Sequence, residues 1–276
     1  MSRPELPDGL PAPVTDSHCH LDMARDGDDP LSVPEAVRLA SEVGVSRIVQ
    51  IGCDLAGAEW AVTAANSNDA LVAGVALHPN EAPTLAAEGR LDAALDRIEE
   101  LAASSERVRA IGETGLDYFR TTSDGWRQQE ESFRAHIEMA KRLDRTLVIH
   151  DRDAHEDILR VLSEVGSPDR VVMHCYSGDT AMAVECVRRG YWLSIAGTVT
   201  FKNAGVIRDA LRATPIEHLL VETDAPFLTP APHRGSTNAS YLIPLTMRAI
   251  AQVKEVEMNV LCTAIQANSD RAFGVW

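Results

Sequence analysis

The sequence contains no Cys-x-x-Cys pair; its five cysteines, Cys19, Cys53, Cys175, Cys186 and Cys262, are scattered and odd in number. That pattern excludes a zinc ribbon and suits reduced thiols better than a disulfide framework. No stretch approaches the roughly 18 uninterrupted apolar residues of a membrane span, and the opening MSRPELPDGLPAPV lacks the apolar core of a secretory signal. Composition therefore points to a cytoplasmic protein without a membrane partner. Positive charge is also scarce: 26 Lys and Arg stand against 41 Asp and Glu, for a net charge of -15 and a pI near 5.0. This rules out a broad cationic surface gripping nucleic acid through many phosphate contacts. Any polyanionic substrate has to be held locally. Part of the acidity can belong to the site itself, because carboxylates gathered around divalent cations count as negative until the metals are included.

What is present is a rhythm. Eight short β-branched runs, at 14–21, 45–52, 71–78, 108–116, 146–150, 170–175, 191–196 and 218–223, read as strands. Amphipathic stretches lie between them, among them 57–66, 91–104, 128–143, 154–165, 180–189 and 204–213. Alternation of this kind implies parallel strands, and eight repeats in a chain of 276 residues predict a single (β/α)8 barrel, with an open doubly wound sheet as the structural alternative. With no low-complexity linker, residues 1–276 read as one domain, with 1–13 a flexible lead-in. After the eighth run a proline-rich loop, 225–232, leads to a helical tail.

Chemistry-bearing residues collect at the strand ends. Asp16-Ser17-His18-Cys19-His20 places two imidazoles at i and i+2 of a strand, where alternation points both to one face. An isolated pair of this kind is as readily a hydrogen-bonded core pair. His150 closes the fifth run and His174 follows the sixth, while Glu113 falls at the end of the fourth and Asp224 just past the eighth. Singly, each carboxylate reads as a salt-bridge member. Jointly, four of nine histidines and two carboxylates on one predicted rim read as a metal site at the C-terminal face of the strands, where barrel enzymes keep their active sites. Six ligands exceed the need of one tetrahedral zinc, so the reading is two divalent ions activating a water for hydrolysis, with Glu113 and Asp224 as catalytic carboxylates and Asp224 taking the proton. Mixed imidazole and carboxylate donors suit Zn, Mn or Fe, and a Mg-loaded form stays open.

The segments DSHCHLD from Asp16, ALHPNEA from Ala76, IGETGLDYFR from Ile111, VIHDRDA from Val148, MHCYSG from Met173 and LLVETDAPFLTP from Leu219 together resemble the TatD family of metal-dependent deoxyribonucleases, within the amidohydrolase-like barrel superfamily, nearly end to end. The resemblance implies His18, His20 and Asp224 at one metal, His150 and His174 at the other, and Glu113 bridging both. Many relatives carry a carbamylated lysine on the fourth strand; Glu113 in that place favours the TatD branch. The implied activity is cleavage of DNA phosphodiesters, some members trimming from the 3′ end, so the implied partner is DNA, single-stranded at its 3′ end, with no obligate protein partner. Three residues are candidate substrate contacts. Arg152 reads either as a bidentate phosphate clamp or as an ion-pair member. His78 reads either as touching a leaving group or as supporting a ligand. Tyr118, beside Phe119, reads either as a base-stacking ring or as loop packing. Lys202 and Arg234 read as solvated surface. Asn80 and the segment 235–240 depart from the family pattern, and the closing Asn268 to Phe273 reads as packing. Two other functions remain: a binuclear hydrolase of a small ester, lactone, amide or aminoacyl substrate, and a partner-binding protein that keeps the metals for stability alone.

Overall fold

The computed structural model describes residues 3–25 and 28–276. Its elements are β1 (Val14–Cys19), α1 (Val33–Glu42), β2 (Val45–Gly52), α2 (Leu55–Ser67), β3 (Leu71–Val75), α3 (Ala82–Ala87), α4 (Leu91–Ala103), β4 (Val108–Asp117), α5 (Ser123–Leu143), β5 (Thr146–Arg152), α6 (His155–Val165), β6 (Val171–Met173), α7 (Thr180–Arg188), β7 (Trp192–Ile195), α8 (Gly205–Ala213), β8 (Leu219–Val221), α9 (Ile243–Lys254) and α10 (Met258–Phe273). The strands lie in one sheet in chain order, with parallel pairing. Its ends meet, because a parallel bridge joins Cys19 to Ala225, a few residues past β8. Parallel strands in sequence order, separated by helices and returning to their start, make the (β/α)8 barrel. Most strand positions are buried on both faces, β1, β3, β6, β7 and β8 having no exposed residue, as parallel sheets covered by helices require.

Several strands are shorter than the apolar runs that announced them. β3 stops at Val75, β6 covers only Val171–Met173 and β8 only Leu219–Val221, because the ladder ends where the chain turns while apolar burial continues. Two helices that the sequence reading did not single out, α1 and α3, each carry a proline in the first turn, where its fixed φ and missing N–H cost nothing.

Contacts gather residues 1–50 and 178–276 into one compact unit and 51–177 into another. In the first, the lead-in expected to be flexible is tied down from residue 3 onward; residues 1 and 2 lie outside the described residues. Leu10 N donates to Val43 O at 2.9 Å, Tyr241 Oη to Pro4 O at 2.7 Å and Arg248 Nη2 to Asp8 O at 2.6 Å. Polar side chains on α9 and its preceding turn capture main-chain carbonyls that a sequence reading cannot see. The closing Asn268 is buried and its Nδ2 donates to Ile216 O at 2.8 Å and Leu219 O at 2.7 Å, so α10 pins the entry to β8.

In the second unit, α5 is held to β4 and to the segment after β3 by one buried imidazole. His136 Nε2 accepts from Leu77 N at 3.2 Å, and its Nδ1 lies 3.0 Å from Thr114 Oγ1 and 2.8 Å from Ser132 O. β4 and β5 approach unusually closely: a Cβ at Gly115, whose φ is +138°, would stand 2.1 Å from His150 O. Only glycine permits that approach.

Candidate functional site

In the first unit, His18 sits within β1 and His20 one residue beyond it. Alternation turns both to one side, and the rings meet edge-on with their Nε2 atoms 3.3 Å apart. Asp224 comes to them from the turn after β8, its Oδ1 3.3 Å from His20 Nε2 and 3.8 Å from His18 Nε2. Main-chain pairing fixes that placement: Asp224 N donates to His18 O at 2.9 Å, and His20 N donates to Ala225 O at 2.8 Å. Asp224 has φ 54°, a left-handed conformation that aspartate adopts more readily than most residues. Below it, fully buried Asp16 accepts from Thr223 N at 3.0 Å and Thr223 Oγ1 at 2.7 Å. Burial pushes the Asp16 carboxyl up to about 7 against those bonds. Asp16 thus ties β1 to the turn that carries Asp224.

In the second unit, Glu113 on β4 reaches toward β5 and the end of β6. Its Oε2 lies 3.1 Å from His150 Nδ1 and 3.1 Å from His174 Nε2, and its Oε1 accepts from Cys53 Sγ at 3.1 Å. Burial opposes the Glu113 charge, but the imidazoles of His174 and His78 and the contacts from His150 and His174 outweigh it and hold the carboxyl well below its ordinary range.

The other side of His150 meets a residue that the sequence reading missed. Asp117 Oδ2 lies 3.3 Å from His150 Nε2, within ion-pair reach though outside ideal hydrogen-bond geometry. Asp117 Oδ1 accepts from Phe119 N at 3.0 Å and Arg120 N at 2.8 Å, and Asn80 Nδ2 donates to Oδ2 at 3.3 Å. Burial is again outweighed, here by His150, the Arg120 amide and Asn80, so the Asp117 carboxyl is held below its ordinary range. A carboxylate on the far nitrogen favours the tautomer with the proton on Nε2, leaving the Nδ1 lone pair, on the side of Glu113, for a metal. Asp117 stands two positions past Gly115, which pairs with His150, and is itself paired with Arg152. The signal for it was the carboxylate closing the strand that carries Glu113.

Within each unit the three side chains offer ligand atoms that all lie within 4.8 Å of one another, His18, His20 and Asp224 in one, Glu113, His150 and His174 in the other. Two imidazoles and a carboxylate converging on one point form a donor set that a divalent ion satisfies and that buried like dipoles alone would not favour. The residues therefore fit a metal in each unit.

The sequence profile of the family described as TatD related DNase matches residues 15–274. The chain belongs to that family. The TatD-family protein is 42% identical over 268 residues to the metal-dependent hydrolase TatD of Mycobacterium tuberculosis, covering 95% of this chain and 98% of that one. It is 35% identical over 264 residues to the metal-dependent hydrolase YabD of Bacillus subtilis, covering 94% and 98%. Among solved structures, the TatD homologue YjjV of Escherichia coli superposes with a TM-score of 0.86 at 25% identity, over 95% of this chain and 98% of that one. This TatD-family chain is a metal-dependent hydrolase. Among the described residues no helix is long and apolar enough to cross a membrane.

The remaining candidates of the TatD-family site are placed as follows. The His78 ring meets His150 edge-on at 4.6 Å, and its Nδ1 accepts from Asn80 N at 3.1 Å. Asn80, a departure from the family pattern, thereby steadies both His78 and Asp117. Tyr118 stacks on Trp126 at 4.0 Å and donates to Asp157 Oδ2 at 2.8 Å, which engages both its ring and its hydroxyl within the loop. The Arg152 guanidinium lies 3.9 Å above the Phe119 ring. In the first unit, Arg234 lies 4.0 Å above Phe201, where the sequence reading had a solvated cation.

Proposed function

We propose that this TatD-family hydrolase is a deoxyribonuclease that trims single-stranded DNA from the 3′ end, using two divalent ions, Zn, Mn or Mg. The observation that carries the reading is the pair of three-residue donor sets, His18, His20 and Asp224 in one unit and Glu113, His150 and His174 in the other. Bound metal supplies a water of lowered pKa and polarises a phosphoryl oxygen. The imidazoles would hold the ions as neutral donors, and the Glu113 and Asp224 carboxylates would contribute the negative charge that draws them in. Asp224 would accept the proton of the attacking water while the new phosphorus–oxygen bond forms and the bond to the leaving deoxyribose oxygen breaks, that oxygen taking a proton from solvent. Asp117 keeps His150 oriented and Asp16 keeps Asp224 at its turn.

The net charge of -15 favours a second reading, a small ester, lactone, amide or aminoacyl substrate, since an acidic surface repels a long polyanion. The experiment strips the protein with a chelator and assays 3′-labelled and 5′-labelled single-stranded DNA with Mg, Mn or Zn restored, beside Glu113→Gln and His174→Ala. Ladders shortening from the 3′ end that vanish in both variants support the nuclease. Release of neither label under any metal, with a simple ester cleaved by the wild type, replaces it with the small-substrate reading.

A further inference from the structure

Most arginines of the described residues are spent on carboxylates or main-chain carbonyls. Arg97, Arg134, Arg142 and Arg160 meet glutamates, and Arg107 and Arg208 meet carbonyl oxygens. Arg152 does neither. Among the described residues it has no acidic partner within ion-pair distance, although acids are abundant in this chain. Two neighbouring acids are committed elsewhere: Asp151, beside it in the chain, has Oδ2 2.8 Å from His155 Nδ1, and Asp117, across the ladder, serves His150 and two amides. What holds Arg152 is the face of Phe119, 3.9 Å below its guanidinium. Phe119 is 64% exposed, so this ring is not packing the loop; Tyr118, stacked on Trp126, does that. A guanidinium held over an aromatic face loses torsional freedom while its N–H groups remain available to a ligand.

Position supplies the second half. Arg152 stands two residues past His150 on β5, hence on the same side of the strand, and it pairs across the ladder with Asp117, the residue that contacts His150. A cation without a carboxylate, braced on an exposed ring beside a hydrolytic site in an acidic protein, matches an anion that offers two adjacent acceptor oxygens, as a phosphodiester does. We propose that Arg152, braced by Phe119, is a phosphate-binding residue that makes this site select anionic phosphodiesters over neutral esters. The inference rests on the nuclease reading above. It answers how a chain of net charge -15 holds a polyanion: by a local clamp rather than by its surface.

Two measurements test it. The first compares kcat and KM of wild type, Arg152→Ala, Arg152→Lys and Phe119→Leu on single-stranded DNA. It also takes the ratio of kcat/KM for bis(4-nitrophenyl) phosphate to that for 4-nitrophenyl acetate. Arg152→Ala should raise KM for DNA about 10- to 100-fold, with a smaller fall in kcat, and lower the ratio by a similar factor. Arg152→Lys, which keeps the charge and loses the fork, should recover only part, and Phe119→Leu should raise KM about 3- to 10-fold. The second titrates inorganic phosphate into chelator-stripped protein, where no metal can hold the anion; binding should weaken at least about tenfold in Arg152→Ala. Equal phosphate binding by stripped wild type and Arg152→Ala, or an unchanged substrate ratio, overturns the proposal. If the wild type cleaves no DNA while Arg152→Ala still loses phosphate binding, the nuclease reading fails and the phosphate clamp stands.

Discussion

At the scale of single residues, the ligand side chains are held by neighbours that do not themselves face a metal. Asp117 on the far nitrogen of His150 is the plainest case, since its two oxygens are occupied by one imidazole, two amides and an asparagine. Replacing it with asparagine keeps the volume and removes the charge that sets the tautomer. Asp117→Asn should weaken metal binding in the second unit about 10- to 100-fold, the usual cost of losing such a partner, with little change in the thermal stability of the metal-free protein. Titration of stripped protein with Mn or Zn reads this directly; unchanged affinity would show that Asp117 serves only its loop. Phe119 and Arg152 make the complementary point, because their significance lies in their contact with each other and neither stands out alone.

At the scale of elements, α5 matters most, a helix of 21 residues whose inner face is pinned through His136. Burial pushes the His136 imidazole down to about 4 from its ordinary value of 6.5. The folded-state value is therefore depressed below the unfolded one. Above pH 6.5 the ring is neutral in both states and stability is unaffected. As pH falls from 6.5 toward 4 the unfolded chain takes up the proton and the folded one does not, so stability is lost across that window, by about 3 kcal/mol at its acid end. Urea unfolding of stripped protein should show this slope, and His136→Gln should flatten it while lowering stability at pH 7. Equal slopes for both proteins between pH 6.5 and 4 would place the acid sensitivity elsewhere. Gly115 shows the same scale from the other side: β4 can lie against β5 at His150 only because that position lacks a Cβ.

At the scale of the whole molecule, the relevant quantity is the coupling of metal to fold. Each donor set joins strands distant in sequence, Asp224 to His18 across more than two hundred residues, and metal can bind well only once these are assembled. An ion that binds the folded chain alone stabilises it by about 2.7 kcal/mol when its concentration is about a hundredfold above Kd. Two such ions should raise the melting temperature of a chain this size on the order of 10 °C. Scanning calorimetry of chelated and reloaded protein measures the shift, and loading with no shift would mean that the donor sets do not hold metal in the folded state. Asp224→Ala and His174→Ala should each reduce the bound metal, since each removes a ligand from a different unit.

The sequence by itself determined the barrel and the family. Eight β-branched runs separated by amphipathic stretches leave few alternatives to parallel strands in order, and that periodicity is a local property of the chain. His18 and His20 were legible as a pair because alternation is local too, and Glu113, His150, His174 and Asp224 because each follows a short apolar stretch, although β4 and β5 run on past Glu113 and His150 to Asp117 and Arg152. Tertiary structure decided what depends on register and close approach. Asp117 acquired its role only when β4 and β5 were aligned with Gly115 opposite His150. Tyr118 was drawn to Trp126, leaving Phe119 exposed beneath Arg152. The lead-in, which reads as flexible, was captured by Tyr241 and Arg248 from the far end of the chain. In each case the deciding contact is set by the three-dimensional path of the chain, which composition and periodicity do not encode, whereas the order of strands follows from patterns that short windows of the chain already carry.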